Sequence, residues 1–336
     1  MSVTRRHAPV IGLFLLAPFV GEYLLGNLSP AELPLGFLLA PLYGGGALLV
    51  RELGRRYGSG WPSMALLAAA HALIEEGPVD QLLWNDSYAG VDMLHGPSFL
   101  PSVGMSVELT QTVLALHGVW SMCVPIAIVE TLARGRRTTP WLGRTGLIVT
   151  GLVYAAGSAF VFWGNHTVER FVREPAQIAG VTAIIVALVA CALLVRFPDR
   201  APSGGRPAPS PWLAGAAALA VTSAYWGPLN LITADWYEWW GVAVWCAVLA
   251  AGVPAIWRWS GRPGWGVRHR FALAAGAACT YVWTAFPVRP EGGGSATADL
   301  VGNAVFGTIG VVILVMGGRA ARDTREEADV EAPRGW

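Results

Sequence analysis

The chain has 336 residues, 54% of them hydrophobic and only 13% charged, with a formal net charge of +1. A soluble domain carries about 25% charged residues, so this composition excludes an aqueous globule and assigns the chain to the lipid bilayer. No basic patch, phosphate loop or haem motif is present, and nucleic acid is excluded as a partner.

A helix needs roughly 20 apolar residues to cross the hydrocarbon core. Ten stretches qualify, near 9–28, 31–50, 61–80, 106–132, 145–165, 176–196, 212–233, 239–257, 270–287 and 299–318. They predict an all-α, polytopic integral membrane protein. The first follows Arg5 and Arg6 without a small-x-small cleavage site and is read as a retained span. Pro18, Pro34 and Pro41 are expected to interrupt the first two, and Gly44, Gly45 and Gly46 to loosen the second. Residues 198–211, PDRAPSGGRPAPSP, read as a cytoplasmic linker. They separate a first half, 1–197, from a second, 212–318, and a polar, solvated tail occupies 319–336.

The basic residues are all arginine. With the abundant Ala, Gly and Pro, this points to a GC-rich genome and a bacterial inner membrane. Twenty arginines fall in alternate connecting segments and at both termini, and only Arg170, Arg173 and Arg289 fall in the others. Under the positive-inside rule, both termini are then cytoplasmic. The arginine-poor segments are acidic and aromatic, with Asp80, Asp86 and Asp92, then Asp235 and Glu238 among Trp236, Tyr237, Trp239 and Trp240. Most tryptophans lie near span ends, as an interfacial belt requires, and Trp226 is a candidate for a cation-stabilising pocket. Cys123, Cys191, Cys246 and Cys279 read as small buried hydrophobes, with no disulfide expected.

Ionisable groups inside the spans are the pointers to function. At 1.5 Å of rise per residue, Glu22, His71, Glu75 and His117 share one layer slightly outside the membrane centre. His71 and Glu75 are four apart and share a helix face, with Glu76 at its edge. Gly77 and Pro78 are expected to end or kink that helix. Two adjacent glutamates in a low dielectric do not both ionise easily, so one is expected to keep its proton, as a general acid or base requires. Glu130 is expected to pair with Arg134 one turn on. His7, His95 and His269 read as solvated; Glu108, Asp299 and Asn303 read as vestibule residues. The spacing is not the zinc motif HExxH, but a divalent metal at the Glu/His cluster stays open.

The order Glu75-Glu76, then His117, then His166 resembles the CAAX-protease and bacteriocin-processing family of intramembrane proteases, whose motifs are EExxxR, FxxxH and HxxxN or HxxxD. The arginine position holds Asp80, the phenylalanine position Val113 and the last position Arg170. The resemblance implies that Glu75 and His117 activate water and that His166 helps hold the oxyanion. The EEGPVDQLLWN stretch also looks like multi-pass bacterial proteins with no assigned activity. Four functions compete. The first is a glutamate-type intramembrane hydrolase acting on a membrane-embedded peptide or lipid-like substrate. The others are a proton-coupled transporter, a proton-initiated cyclase of isoprenoid lipids, and a structural membrane protein. The candidate residues, Glu22, His71, Glu75, Glu76, His117 and His166, all lie in the first half.

Overall fold

A computed structural model describes residues 3–197, 205–290, 292–293 and 295–331. Half of the predicted linker, at 198–204, and the last five residues lie outside the described residues. Among the described residues ten helical rods follow in chain order: α1 (3–23), α2 (30–56), α3 (61–79), α4 (107–132), α5 (Arg144–Glu169), α6 (Pro175–Leu194), α7 (Pro211–Leu231), α8 (Trp236–Ser260), α9 (Val267–Thr284) and α10 (Ala296–Glu331). Each covers one predicted apolar stretch. Six are long and apolar enough to cross a membrane: α2, α4, α5, α6, α8 and α10. The last helix runs past the apolar stretch into the polar tail. A small antiparallel hairpin, β1 (Phe99–Leu100) with β2 (Met105–Ser106), folds the long segment between α3 and α4.

The prolines of α2 do not interrupt it. Pro34 sits in the first turn, where its missing N–H has no helical partner, and the helix continues through Pro41 to Arg56. The glycines of α2 are contact points rather than weak points. Gly45 faces the backbone and Cβ of Tyr154 on α5, and a Cβ at Gly46 would lie 2.6 Å from Cε1 of His71. A larger residue there would displace the imidazole.

The arginine-rich segments gather at one end of the bundle. Arg51 is fully buried and its Nη2 donates to the carbonyls of Arg136, Arg137 and Thr139, while its guanidinium lies 3.4 Å from the Trp141 ring centroid. Glu52 accepts from the backbone N–H groups of Trp141 and Leu142. The expected Glu130–Arg134 pair does not form. The helix ends at Leu132, Ala133 turns to ψ 61°, and Arg134 leaves the helical face to pair with Asp323. Glu130 is held instead by Arg51 at 3.1 Å and Arg55 at 2.6 Å. His269, expected in solvent, is buried and bonded to the Pro209 carbonyl at 2.8 Å.

The acidic and aromatic segments meet at the opposite end. Asn85 donates to Glu169 at 3.2 Å, Trp239 Nε1 to the Pro97 carbonyl at 3.0 Å, and Ser98 to Glu238. His95 pairs with Asp92 at 2.8 Å. The two halves of the chain are packed together rather than standing apart. Trp120 of α4 stacks on Tyr281 of α9, centroids 4.6 Å apart, and its N–H donates to the Ala277 carbonyl. Trp226 of α7 is buried in the same ring cluster, 5.3 Å from Trp120. The four cysteines are free thiols.

Candidate functional site

Three rods change from α- to π-helix, at Phe19–Tyr23 in α1, Glu75–Val79 in α3 and Leu116–Cys123 in α4. Each change sits at proline or glycine. Pro18 and Gly21 mark the first, Gly77 and Pro78 the second, Gly118 and the following Pro125 the third. Within α3 the Pro78 ring would clash with the Ile74 carbonyl four residues back, and widening the turn relieves that clash; Pro18 and Pro125 flank their π segments. Single π turns of this kind recur at functional sites. Here they carry Glu22, Glu75, Glu76 and His117. Gly21 brings α1 against α4 at this level, since a Cβ there would lie 2.7 Å from Oγ of Ser121.

The π segments bring the predicted acids and imidazoles into contact. His117 bridges the two glutamates, with Nδ1 2.9 Å from Glu75 Oε2 and Nε2 2.6 Å from Glu76 Oε1. His71 Nε2 approaches the same Glu75 oxygen at 3.1 Å. The contacts at Glu75 are close but poorly aligned. Glu75 Oε2, His71 Nε2 and His117 Nδ1 are buried without a well-directed hydrogen bond, and so is Glu76 Oε2. Glu75 is 1% exposed, and the other three residues are as deeply enclosed.

Two tyrosines extend the cluster. Tyr154 of α5 shares a 3.1 Å hydrogen bond with His71 Nδ1. Tyr43 of α2 donates to Glu22, and its ring lies 5.8 Å from that of His117, centroid to centroid. Asn27 also donates to Glu22, at 3.2 Å. Glu22 therefore joins the layer through Tyr43. Neither tyrosine carries a signal in the sequence, because each stands alone on a helix distant in the chain. Asp80, one turn beyond Glu76, accepts a 3.0 Å hydrogen bond from Asn165 at the outer side of the cluster.

His166 is not brought into this group. Its ring stacks on Phe162 of its own helix, 5.7 Å away, and Nδ1 has no hydrogen-bond partner. It lies near the end of α5, beyond the level of the π segments, and His71 occupies the second imidazole position beside Glu75. The vestibule residues also have partners. Asp299 is buried beside Arg289 at 3.5 Å, Asn303 donates to the Ala285 carbonyl, and Glu108 accepts from Thr112.

Among the described residues, no group of three or more His, Cys, Asp and Glu is arranged to hold a metal ion. The carboxylates and imidazoles contact one another directly. What they can do is accept, relay and return protons, because the separations of 2.6–3.1 Å lie within proton-transfer reach. An outer cavity of about 290 Å³ lies between the segments joining α3 to α4 and α5 to α6, and none of the cluster residues lines it.

The model of a family described as an uncharacterized membrane protein family matches residues 12–253. The match spans α1 into α8 and contains the whole Glu/His cluster. This family, rather than the CAAX-protease family that the Glu-Glu, His, His order resembles, is the one matched. No curated protein and no solved structure matches the chain.

Proposed function

The chain belongs to that uncharacterized membrane protein family, and we propose that it is an intramembrane hydrolase in which Glu75 activates water against a peptide or lipid-like bond. The observation that carries this reading is the position of Glu75 between two imidazoles, 2.9 Å from His117 and 3.1 Å from His71. Glu75 takes a proton from water as the water oxygen bonds to the substrate carbonyl carbon. His117 links Glu75 to Glu76, so the proton can pass through the imidazole to the second carboxylate. Tyr154 donates to His71 Nδ1 and so fixes the tautomer that carries a proton on Nε2. That Nε2–H faces Glu75 Oε2 at 3.1 Å and holds the carboxylate in place for the water, a positioning part different from the one that the resemblance assigns to His166. When the tetrahedral intermediate collapses, the C–N or C–O bond breaks and the proton returns to the leaving group.

The same reading holds that the ten rods are ten membrane spans, with both termini on the cytoplasmic side of a bacterial inner membrane. The gathering of the arginine-rich segments at one end of the bundle supports it. Proton-coupled transport is the second reading, favoured by the sealing of the cluster away from the outer cavity.

The test uses the full chain in lipid nanodiscs, a library of membrane-spanning peptides and ¹⁸O-labelled water. The expected result is one ¹⁸O atom in each new carboxylate with the wild type and none with Glu75→Gln. Cleavage by Glu75→Gln at the wild-type rate would sink the hydrolase reading. Proton uptake into liposomes that depends on Glu75, with no ¹⁸O product, would establish the transporter in its place.

A further inference from the structure

The arginine-rich end of the bundle holds more positive charge than its carboxylates neutralise. Glu52 is shared by Arg51 and Arg56, and Glu130 by Arg51 and Arg55. Arg137 and Arg270 stand beside this group as further cations. Arg137 donates to the Thr131 carbonyl at 3.1 Å, which fixes its place without cancelling its charge. Arg270, at the start of α9, is half-buried. The charged groups that act on it are Arg55, Glu130 and Arg137, two cations and a carboxylate already held by two others. Among the described residues its guanidinium has no hydrogen bond and no ion pair, and its nitrogens are accessible rather than sealed. A half-buried cation beside two others is destabilising until an anion joins it.

A cavity of about 10 Å³ is lined by both Arg137 and Arg270, with Trp61, Glu130 and Val267 in the same wall. Space of that size admits about one water-sized atom. One oxygen of a phosphate enters it, and the rest of the group stays at the mouth. Both oxygens of Glu130 are engaged by Arg55 and Arg51, so this wall has no free carboxylate for an ammonium. An anion is favoured over a zwitterion. The height fits a lipid. The cavity lies along the last turns of α4, a helix long enough to cross a membrane, which ends at Leu132. The end of such a helix is at the level of the head groups, and a tryptophan beside it is at home there. Basic pockets between membrane helices hold anionic head groups at that level.

We propose that Arg270 and Arg137 bind the phosphate of an anionic phospholipid at this end of the bundle. The site lies about 20 Å from His117 along α4 and does not depend on how the Glu/His cluster is read.

The experiment uses the full chain in detergent, with short-chain phosphatidylglycerol, short-chain phosphatidylethanolamine and inorganic phosphate as probes. Binding is read by native mass spectrometry and stability by the unfolding of the helical signal. The glycerol lipid is expected to bind in preference to the ethanolamine lipid. Arg270→Gln should weaken it about tenfold, the loss of one charge-assisted hydrogen bond. Arg258→Gln, exposed at the end of α8 and outside the cavity wall, should leave it within about twofold. Without lipid, Arg270→Gln should unfold at the same temperature as the wild type or higher, because it removes a cation from beside Arg55 and Arg137. Stabilisation of the wild type by the lipid and not by inorganic phosphate supports the leaflet as the source. Equal stabilisation by the two, lost in Arg270→Gln, supports the same site with free phosphate as its ligand. Equal binding of the two lipids, or equal losses in Arg270→Gln and Arg258→Gln, would mean that a diffuse charged surface is at work and would overturn the proposal. So would a lower unfolding temperature of lipid-free Arg270→Gln, which would show that Arg270 is paired inside the protein.

Discussion

Glu75 has two imidazole neighbours and one carboxylate in relay, and these contacts divide the histidines by role. His71 is fixed by Tyr154 and touches Glu75, whereas His166 contacts Phe162 on its own helix. His71→Ala should therefore lower hydrolysis about 100-fold or more, in the range of a lost acid–base group. His166→Ala should leave it within about twofold, measured as the rate of ¹⁸O incorporation. Comparable losses in the two variants would contradict this division. The four central residues were legible from sequence because helical spacing and depth alone align them. The two tyrosines were not, since a hydroxyl reaching across from another helix leaves no periodic trace. His166 was drawn into the site by motif order, which is blind to height along the helix axis.

The elements are joined at the arginine-rich end by a buried charge network, which explains why an irregular segment such as 133–143 has one path. Arg51 serves three carbonyls of that segment, Glu52 two of its N–H groups, and Glu130 closes the network with Arg55. Removing one partner of such a network strands the others in a poorly solvated interior, a loss of about 3–5 kcal/mol. Arg51→Met should lower the apparent Tm in detergent, read by the unfolding of the helical signal. Arg206→Gln, in the linker, should not. An unchanged Tm for Arg51→Met would mean that the network is not holding the segment. The helices themselves were foreseen, because long apolar runs with arginine at alternate ends specify them well. Their irregularities were foreseen in α3, where Gly77 and Pro78 adjoin the acids, and in α1 at Pro18, but not in α4. Proline position alone misleads, since Pro41 is absorbed within α2 and Pro18 redirects α1. The Glu130–Arg134 expectation failed for a local reason: the turn at Ala133 ends the helical face on which the four-residue rule depends.

At the scale of the whole molecule, the segments expected on one side of the membrane touch one another, and so do those expected on the other. Ser87, between α3 and α4, and Thr138, between α4 and α5, lie at opposite ends. A membrane-impermeant maleimide added to intact cells should label Ser87→Cys and spare Thr138→Cys until the membrane is opened. Labelling of both from outside would contradict ten spans with cytoplasmic termini. The Glu/His cluster does lie in the first half, yet α9 and α7 close the ring stack around Trp120, which belongs to the same π segment as His117. Such packing between distant helices depends on shape complementarity, which composition and periodicity do not encode.

Each π segment also has a geometric consequence for its helix. One residue more than an α-turn needs turns everything beyond it by about 100° and advances it by about 1.5 Å. In α1, α3 and α4 this happens at the same height. In α4 the stretches before and after the π segment are therefore out of phase, whereas in α1 and α3 the π segment is the last helical stretch and re-aims the chain that leaves it. A single-residue deletion in Glu75–Val79 would do more than shorten α3. It would turn the chain that follows, with Trp84, away from Gly104 and leave Trp61–Ile74 where it stands. The level at which the three helices are re-aimed is the level at which the acids and imidazoles sit.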